Sequence, residues 1–273
     1  MKPTKLIAPQ ILIVLSAVGT LLLLAACDLT NSLTGSISTE SRLTTRVTLQ
    51  AKPCSSNADI SLMSKTQGIV QQRLSGLGVA NAKVQIQDAC QLAIDLPALA
   101  DPAQMLDVVP RAGRLEFVDT GTESYPEGII LRTTGNPTPT ISSNSLVGTI
   151  PDKVYPAIVT GADLVPDNLA VVLNSASQQV EVAFELETAA AQRFKEFTTQ
   201  AVGSYLCIVL DNTVQSCPTI QSPIPEGKGV ITLGSGDRDE ANRLLNLLRY
   251  GSLPYELEVI QIESLSTESE SKP

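Results

Sequence analysis

Residues 84–96 read VQIQDACQLAIDL, and this stretch decides the first half of the fold. Apolar and polar residues alternate on both sides of Asp88-Ala89-Cys90, so each arm has one apolar face. Such alternation is typical of short half-buried strands, and the break between the arms joins them. We therefore predict a β-hairpin at this point of the chain.

Regular elements are predicted on both sides of this hairpin. Upstream, alternation at 47–51 indicates a strand, and apolar residues at helical spacing over 60–77 indicate a helix. Downstream, the Asp-Pro pair at 101–102 is typical of a helix N-terminus, and 114–119 is interpreted as a strand that closes the unit. The resulting order over 43–119 is strand, helix, strand, strand, helix, strand, which fits a ferredoxin-like α+β sandwich that we call the base.

A second α+β unit, the head, is predicted after a long loop. Residues 120–153 are crowded with Gly, Pro, Ser and Thr and are interpreted as a linker. The head is expected to span 154–262, where strict alternation at 180–186 changes to helical spacing at 190–201. A further hairpin is predicted around the turn at 211–213.

The ends of the two units are less regular. Residues 237–262 have capping-box spacing, a leucine-rich face and a final strand, and they belong either to the head or to the base. Residues 28–42 are rich in Ser, Thr and Gly and are expected to be a flexible tether. The polar tail, residues 263–273, is expected to be disordered.

The composition narrows the class of function. The chain has 273 residues, of which 43% are hydrophobic and only 3% aromatic, so an aliphatic core is expected. A formal net charge of −9 argues against nucleic acid as a partner. The chain contains no histidine, so Ser-His-Asp, Cys-His and histidine-rich zinc sites cannot be assembled. We predict no catalytic residue, no cofactor and no metal site, and hence no enzyme.

The N-terminus has the form of an export leader. A lysine-containing start and a mostly apolar run precede Leu24-Ala25-Ala26-Cys27, which resembles the lipobox of bacterial lipoproteins. Residues 1–27 are therefore predicted to be a lipoprotein signal peptide, and Cys27 is predicted to carry lipid. The chain would then be anchored to the extracytoplasmic face of the cytoplasmic membrane. An uncleaved N-terminal anchor helix is the alternative.

The other four cysteines are predicted to form disulfides, because their number is even and the chain is expected in an oxidising compartment. Cys54 and Cys90 lie at the adjacent ends of the first and third strands of a ferredoxin-like sheet. Cys207 and Cys217 face each other if the hairpin loop has three residues, whereas a two-residue loop would place Ser216 opposite Cys207. The alternative for each cysteine is a small buried hydrophobe.

Several segments resemble one family, the large periplasmic domain of the protein-export subunit SecD. The match runs over 44–262, and its most specific segments are Thr-Gly-Ala-Asp-Leu at 160–164, Tyr-Leu-Cys-Ile-Val-Leu-Asp at 205–211, and the stretch 240–254 that ends in Leu-Arg-Tyr-Gly-Ser-Leu-Pro. Each segment has an ordinary structural explanation as a turn, hairpin or helix end. Their joint order indicates the family.

This resemblance implies a ferredoxin-like base next to the membrane and a head inserted into it. In the family this domain is proposed to hold emerging unfolded preprotein and to swing, with the Sec translocon or other SecDF subunits as partners. We expect hinges where the chain passes between base and head, at Thr120 and Gly121 and at Gly234 and Gly236, since glycines absorb backbone rotation.

The chain also departs from the family pattern. Residues 32–36 do not reproduce the acidic, arginine and glycine motif that follows the family's first membrane helix, and the family's five later membrane helices have no counterpart before Pro273. We therefore expect an accessory factor of Sec-dependent translocation that does not itself pump protons. The alternative is an envelope binding or scaffolding lipoprotein that reuses the fold.

Overall fold

The computed structural model describes residues 43–53, 60–97, 100–139, 150–233 and 236–264. Within these ranges the helices are α1 (Ile60–Gly76), α2 (Pro102–Leu106), α3 (Thr188–Gln200) and α4 (Arg238–Tyr250). The strands are β1 (Leu43–Lys52), β2 (Lys83–Ile86), β3 (Gln91–Pro97), β4 (Leu115–Gly121), β5 (Arg132–Thr133), β6 (Val154–Tyr155), β7 (Ala157–Thr160), β8 (Ala170–Leu173), β9 (Val180–Glu185), β10 (Tyr205–Leu210), β11 (Thr213–Ser216), β12 (Lys228–Thr232) and β13 (Glu256–Ser264).

The base is a four-stranded antiparallel sheet in the order β13-β1-β3-β2, with α1 packed on one face. The predicted hairpin is confirmed, since Val84 of β2 pairs with Ile94 of β3. The apolar face of α1 contributes Met63, Val70 and Leu74, each with no exposed surface, to a core under the sheet. This strand order is that of the ferredoxin-like fold, so the predicted fold class is confirmed.

The fourth strand of the base was predicted wrongly. The strand expected at 114–119 is β4, and it lies in a different sheet, between β10 and β7. The place at the edge of the base is taken by β13, which pairs with β1 from Thr45 to Lys52. The reason is burial: the side chains of β4, including Leu115, Phe117 and the carboxylate of Glu116, are covered on both faces, as in a central strand, whereas most of β13 is exposed.

The head consists of the sheet β11-β10-β4-β7, the three-stranded sheet β12-β9-β8, and helices α3 and α4. Phe117 lies at the centre of its core, with ring centroids 5.0 Å from Phe184 and 5.8 Å from Phe194. Three of the four phenylalanines of the chain are thus gathered at one point, and the surrounding core is aliphatic as expected.

The segment 237–262 is divided between the two units. The apolar face of α4, including Leu244 and Leu247, packs into the head core, whereas β13 belongs to the base sheet. Helix α4 also contacts α1 of the base, where Gly76 allows close approach because a Cβ there would lie 2.5 Å from the Nδ2 atom of Asn246. The last helix therefore joins the head to the base.

The predicted linker is packed against the head where it is described. Leu131 and Thr133 have no exposed surface, and β5 pairs with β6 in parallel. The side chain of Asn212 donates to the carbonyl oxygens of Leu131 and Asn136 at 2.8 and 2.9 Å. Residues 130–136 are therefore an integral part of the head and not a free linker. Residues 140–149 lie outside the described ranges, as do the predicted tether and residues 265–273 of the predicted tail. The first two residues of that tail, Glu263 and Ser264, were predicted wrongly, because they pair with β1 as the end of β13.

In the β10–β11 hairpin, Cys207 and Cys217 are paired as predicted, but the loop does not have the three residues on which that pairing was expected to depend. Leu210 pairs with Thr213, so the loop has two residues, Asp211 and Asn212. Both have positive φ, 49° and 65°. A register shift then places Ser216 opposite Ile208, so that the next residues along the two strands, Cys207 and Cys217, face each other. The structure joins them in a disulfide. A bulge thus replaces the third loop residue.

Candidate functional site

A cleft of about 420 Å³ lies where the base meets the head. Its apolar floor comes from three elements: Ile69 on α1, Leu115 on β4 and Leu248 on α4. Part of its wall is made of small residues, which expose main chain rather than side chain. A shallow apolar surface with accessible main chain suits an extended polypeptide segment better than a compact small molecule.

Two glycines of the wall are required by close contacts. A Cβ at Gly135 would lie 2.5 Å from the Oε1 atom of Glu116, and a Cβ at Gly113 would lie 2.6 Å from the Nη2 atom of Arg73. Gly113 also has a φ of +73°, which favours glycine. The width of the cleft therefore depends on how Glu116 and Arg73 are held.

Glu116 is buried in the wall and is committed to structure. Its carboxylate accepts a hydrogen bond from the Thr133 hydroxyl at 2.6 Å and another from the Gly135 main-chain N–H at 3.1 Å. It thereby fixes the 133–135 turn against β4. A carboxylate occupied in this way explains the loop packing and gives no reason to assign it acid–base chemistry.

Two cations lie at the rim of the cleft. Lys65 on α1 is exposed, and Arg114 donates to the Glu256 carboxylate of β13 at 2.9 Å. The Arg114–Glu256 pair connects the start of β4, in the head, with the edge strand of the base. The charge of Arg114 is thus balanced by Glu256, whereas the ammonium group of Lys65 is exposed at the rim.

Behind the cleft, Arg73 of α1 is completely buried. Its Nη1 atom donates to main-chain carbonyls of residues 108, 109 and 111, and its Nη2 atom donates to those of Ala112 and Gly251 at 3.2 and 2.7 Å. Burial lowers the pKa of Arg73 to about 10, partly offset by the charge of Asp211, so the guanidinium is protonated at neutral pH. The carbonyl oxygens therefore face a full positive charge.

Arg73 and Asp211 were missed as important residues at the sequence level. The signal was present for Arg73, because it follows Val70 by three residues and precedes Leu77 by four, on the apolar face of α1. A charged residue at such a position is rarely buried unless its hydrogen bonds are satisfied. Asp211 was interpreted as a turn residue and as the end of a segment that resembles the family, and its long-range partners could not be inferred from the sequence.

Three of the predicted hinge residues, Thr120, Gly121 and Gly236, do not lie where the chain passes between base and head. Thr120 and Gly121 end β4 inside the head sheet, and the Thr120 hydroxyl lies 3.4 Å from the Sγ atom of Cys207. Gly236 precedes α4 with a φ of +63°, and Gly234 lies outside the described residues. The chain instead crosses from base to head near 107–114 and returns near 250–253.

The remaining predicted sites concern cysteines. Cys27 and Cys54 lie outside the described residues. Cys90 immediately precedes β3, and its carbonyl accepts a hydrogen bond from the Ala51 N–H at 2.7 Å. Cys90 is thus adjacent to the end of β1.

A second polar cluster lies on the head, around Tyr155. Its hydroxyl donates to the Glu123 carboxylate at 2.6 Å and is hydrogen-bonded to the Tyr125 hydroxyl, while Lys153 lies 4.6 Å from the centre of its ring. Burial first, and then the bond to Glu123, raises the pKa of Tyr155. The same bond lowers the pKa of Glu123. These contacts hold the segment after β4 against β6.

Two features are absent from the described residues. No helix among them has both the length and the apolar character needed to cross a membrane. In the same ranges, no group of three or more Cys, Asp or Glu side chains is arranged to hold a metal ion.

Comparison with known families gives two matches. Residues 150–255 match the family described as SecDF, P1 head subdomain. Residues 63–122 match the family described as protein translocase subunit SecDF, P1 domain, N-terminal.

Individual proteins give the same result. The protein translocase subunit SecD of Thermobaculum terrenum is 30% identical over 245 residues, covering 72% of this chain and 47% of that protein. The subunit SecDF of Thermus thermophilus is 32% identical over 218 residues, covering 77% of this chain and 29% of that protein. The chain thus spans less than half the length of these relatives.

Solved structures agree with the fold. A crystal structure of SecDF in a super-membrane-facing form is similar with a TM-score of 0.64 at 26% identity, over 81% of this chain and 30% of that one. A structure of SecDF described as a membrane component that enhances protein export has a TM-score of 0.62 at 26% identity, over 81% of this chain and all of that one.

Proposed function

Because the chain belongs to the family of SecD and SecDF P1 domains, we propose that it assists Sec-dependent protein export by holding unfolded preprotein outside the cytoplasmic membrane. The single observation that supports this role most is the cleft between base and head. Its walls include residues 160–162 and 250–252, which belong to two of the three segments that resemble the family most specifically. Residues of these two segments thus line a surface that has room for a polypeptide.

The chemistry of the cleft suits weak, sequence-tolerant binding. Its floor is apolar, so it can take aliphatic side chains of an unfolded segment, and its small-residue wall lets a client main chain approach closely. A factor that must release its client is poorly served by a deep, specific pocket. The partners proposed are unfolded preprotein and the Sec translocon or other SecDF subunits, one of which would supply the proton-driven step.

Photocross-linking tests this role directly. A photoreactive amino acid is placed at Ala162 or Ser252, which are exposed at the cleft, and at Val202, which is half exposed and does not line it. With a secretory precursor stalled in the translocon, we expect cross-links from Ala162 and Ser252 and none above background from Val202.

The outcome separates this role from its alternative. Absence of cleft cross-links while the translocon is engaged, together with unchanged export kinetics on deletion of the protein, would favour an envelope scaffold that reuses the fold. Equal cross-linking from all three positions would show that contact is non-specific and would contradict a role for the cleft.

We also propose that Cys27 carries a lipid anchor that holds the chain at the extracytoplasmic face of the cytoplasmic membrane. The support is the lipobox-like sequence that ends at Cys27. The mass of the mature chain should correspond to a lipidated N-terminal cysteine, and Cys27→Ala should lose processing and membrane attachment. A variant that is cut at the same site and remains equally bound would contradict lipidation, and an uncut, membrane-bound wild type would support the anchor helix.

We propose a second disulfide between Cys54 and Cys90. The support is the adjacency of β1 and β3, in which Gln50 pairs with Gln91 and the Ala51 N–H reaches the Cys90 carbonyl. Peptide mapping without reductant should recover the Cys54 and Cys90 peptides joined. Recovery of either thiol free, or joined to Cys217, would contradict this pairing.

A further inference from the structure

Both passages of the chain between base and head meet at one point. The outgoing segment, residues 107–114, and the returning segment, residues 250–253, lie side by side, since the Leu253 N–H donates to the Ala112 carbonyl at 2.8 Å. Any change in the angle between base and head must therefore change the backbone at these two segments. The groups that bind these two segments therefore determine how freely the angle between base and head can change.

Arg73 of the base holds both segments at once. Through Nη1 and Nη2 it binds the carbonyls of four residues between 108 and 112, and through Nη2 it also binds the Gly251 carbonyl at the end of α4. A cation at the C-terminus of a helix is favourable, because the last carbonyls carry partial negative charge. The buried side chain of Arg73 thus binds both the segment that leaves the base, residues 108–112, and the C-terminal end of α4.

Asp211 of the head holds the outgoing segment from the other side. Its two carboxylate oxygens accept the main-chain N–H groups of Gly113 and Arg114 at 3.1 and 2.8 Å. Residues 108–114 are therefore held between a cation on the base helix and an anion in the head hairpin. The Asn246 side chain adds a bond from α4 to the Arg73 carbonyl at 3.0 Å.

We propose that Arg73 is a positioning residue that fixes the angle of the head on the base, and with it the width of the cleft. Rotation of the head, where it occurs, pivots at 112–114 and 251–253. Gly113 and Gly251 have φ of +73° and +79°, so they are the residues of these segments best able to change backbone conformation. Both also line the cleft, so a change in their backbone reshapes its wall.

The test measures the distance between base and head in the full chain, without client or translocon. Paired spin labels on noncanonical residues are placed at Gln85, exposed on β2, and at Val202, exposed on the head. Arg73→Lys keeps the charge but cannot reach all five carbonyls. We expect its distance distribution to be shifted or about twofold broader than that of the wild type.

Two further variants make the test decisive. Arg46→Lys is the matched control, because Arg46 also makes hydrogen bonds but to Asp95 within the base sheet, and it should leave the distribution unchanged. In Gly113→Ala the new Cβ would lie 2.6 Å from the Nη2 atom of Arg73, and the positive φ of the pivot would also be strained. This variant should therefore also shift the distance distribution, and it provides a second test of the junction if Arg73→Lys does not fold.

A purely structural role gives a different result. In that case Arg73→Lys lowers the melting temperature while the folded population keeps the distances of the wild type. Folded Arg73→Lys and Gly113→Ala variants with wild-type distances would overturn the proposal. Since no client is present, this outcome is independent of whether the cleft binds preprotein.

Discussion

Reducing the disulfide between Cys207 and Cys217 should destabilise the head by an amount that follows from its loop. The bridge joins residues ten apart in sequence, and the Cys207 side chain is completely buried in β10, a strand in the interior of the head sheet. Restricting the unfolded chain by a loop of this size is worth about 2.7 kcal/mol in the chain-entropy relation. Reduction keeps both sulfur atoms in place, so little packing is lost.

The expected shift in melting temperature is large enough to measure. For a cooperative unit of this size, a loss of about 2.7 kcal/mol lowers the melting temperature by roughly 5–11 °C. The assay is thermal unfolding followed by circular dichroism, with and without reductant, in a Cys54→Ala/Cys90→Ala background. In that background, reduction acts on the Cys207–Cys217 bridge.

The control is the same background with Cys207→Ala and Cys217→Ala added. It should not respond to reductant, and it should melt at or below the reduced form, because it also lacks the buried sulfur atom of Cys207. A reduced form that melts within about 1 °C of the oxidised form would refute the reasoning, because the hairpin would then be as ordered in the unfolded chain without the bridge as with it.

Three further results are expected from equilibrium unfolding. Gly227→Ala should cost about 2–3 kcal/mol, because φ is +64° and the new Cβ would lie 2.5 Å from that of Ala191, whereas Gly203→Ala, with φ of +90° and open space, should cost about 1 kcal/mol. Because the pKa of Tyr155 is raised in the fold, its stabilisation is present below pH 10.0 and lost above it, so Tyr155→Phe should weaken the alkaline loss of stability seen in the wild type. The pKa of Glu123 is lowered, so its stabilisation is present above pH 4.5 and lost as the pH falls through its folded value. The difference between wild type and Glu123→Gln should therefore shrink in acid.

Local patterns in the sequence were enough to predict most elements. The β2–β3 hairpin, helix α1, the alternation of β9 and the turn at Asp211 all depend on residues a few positions apart, where periodicity and turn chemistry act. The N-cap of α4 is another example: Asp237 caps the helix as predicted, although its carboxylate accepts the N–H of Asp239 and not that of Glu240, which the capping-box spacing indicated. Such features can be predicted from sequence because the residues that interact in them are close together in the chain.

The choice of partner strand was decided by the tertiary structure. Both β4 and β13 read as strands, and either could follow the second helix of a ferredoxin-like unit. Only the completed head buries both faces of β4, which excludes it from the edge of the base and leaves that edge to β13. The β10–β11 hairpin is a second example of what the sequence could not specify. A bulge, and not a third loop residue, places Cys207 opposite Cys217.

The cleft and the contacts of Arg73 could also be identified only from the tertiary structure. The sequence alone shows that residues 160–164 and 249–254 resemble one family, but not that residues 160–162 and 250–252 line one cleft. It showed a charge on the apolar face of α1, but not that main-chain carbonyls from both crossings converge on Arg73. Hydrogen bonds to main chain leave no trace in residue identity, because every residue has a carbonyl group. Contacts of this kind are therefore specified by the packing of base on head and become visible only when that packing is known.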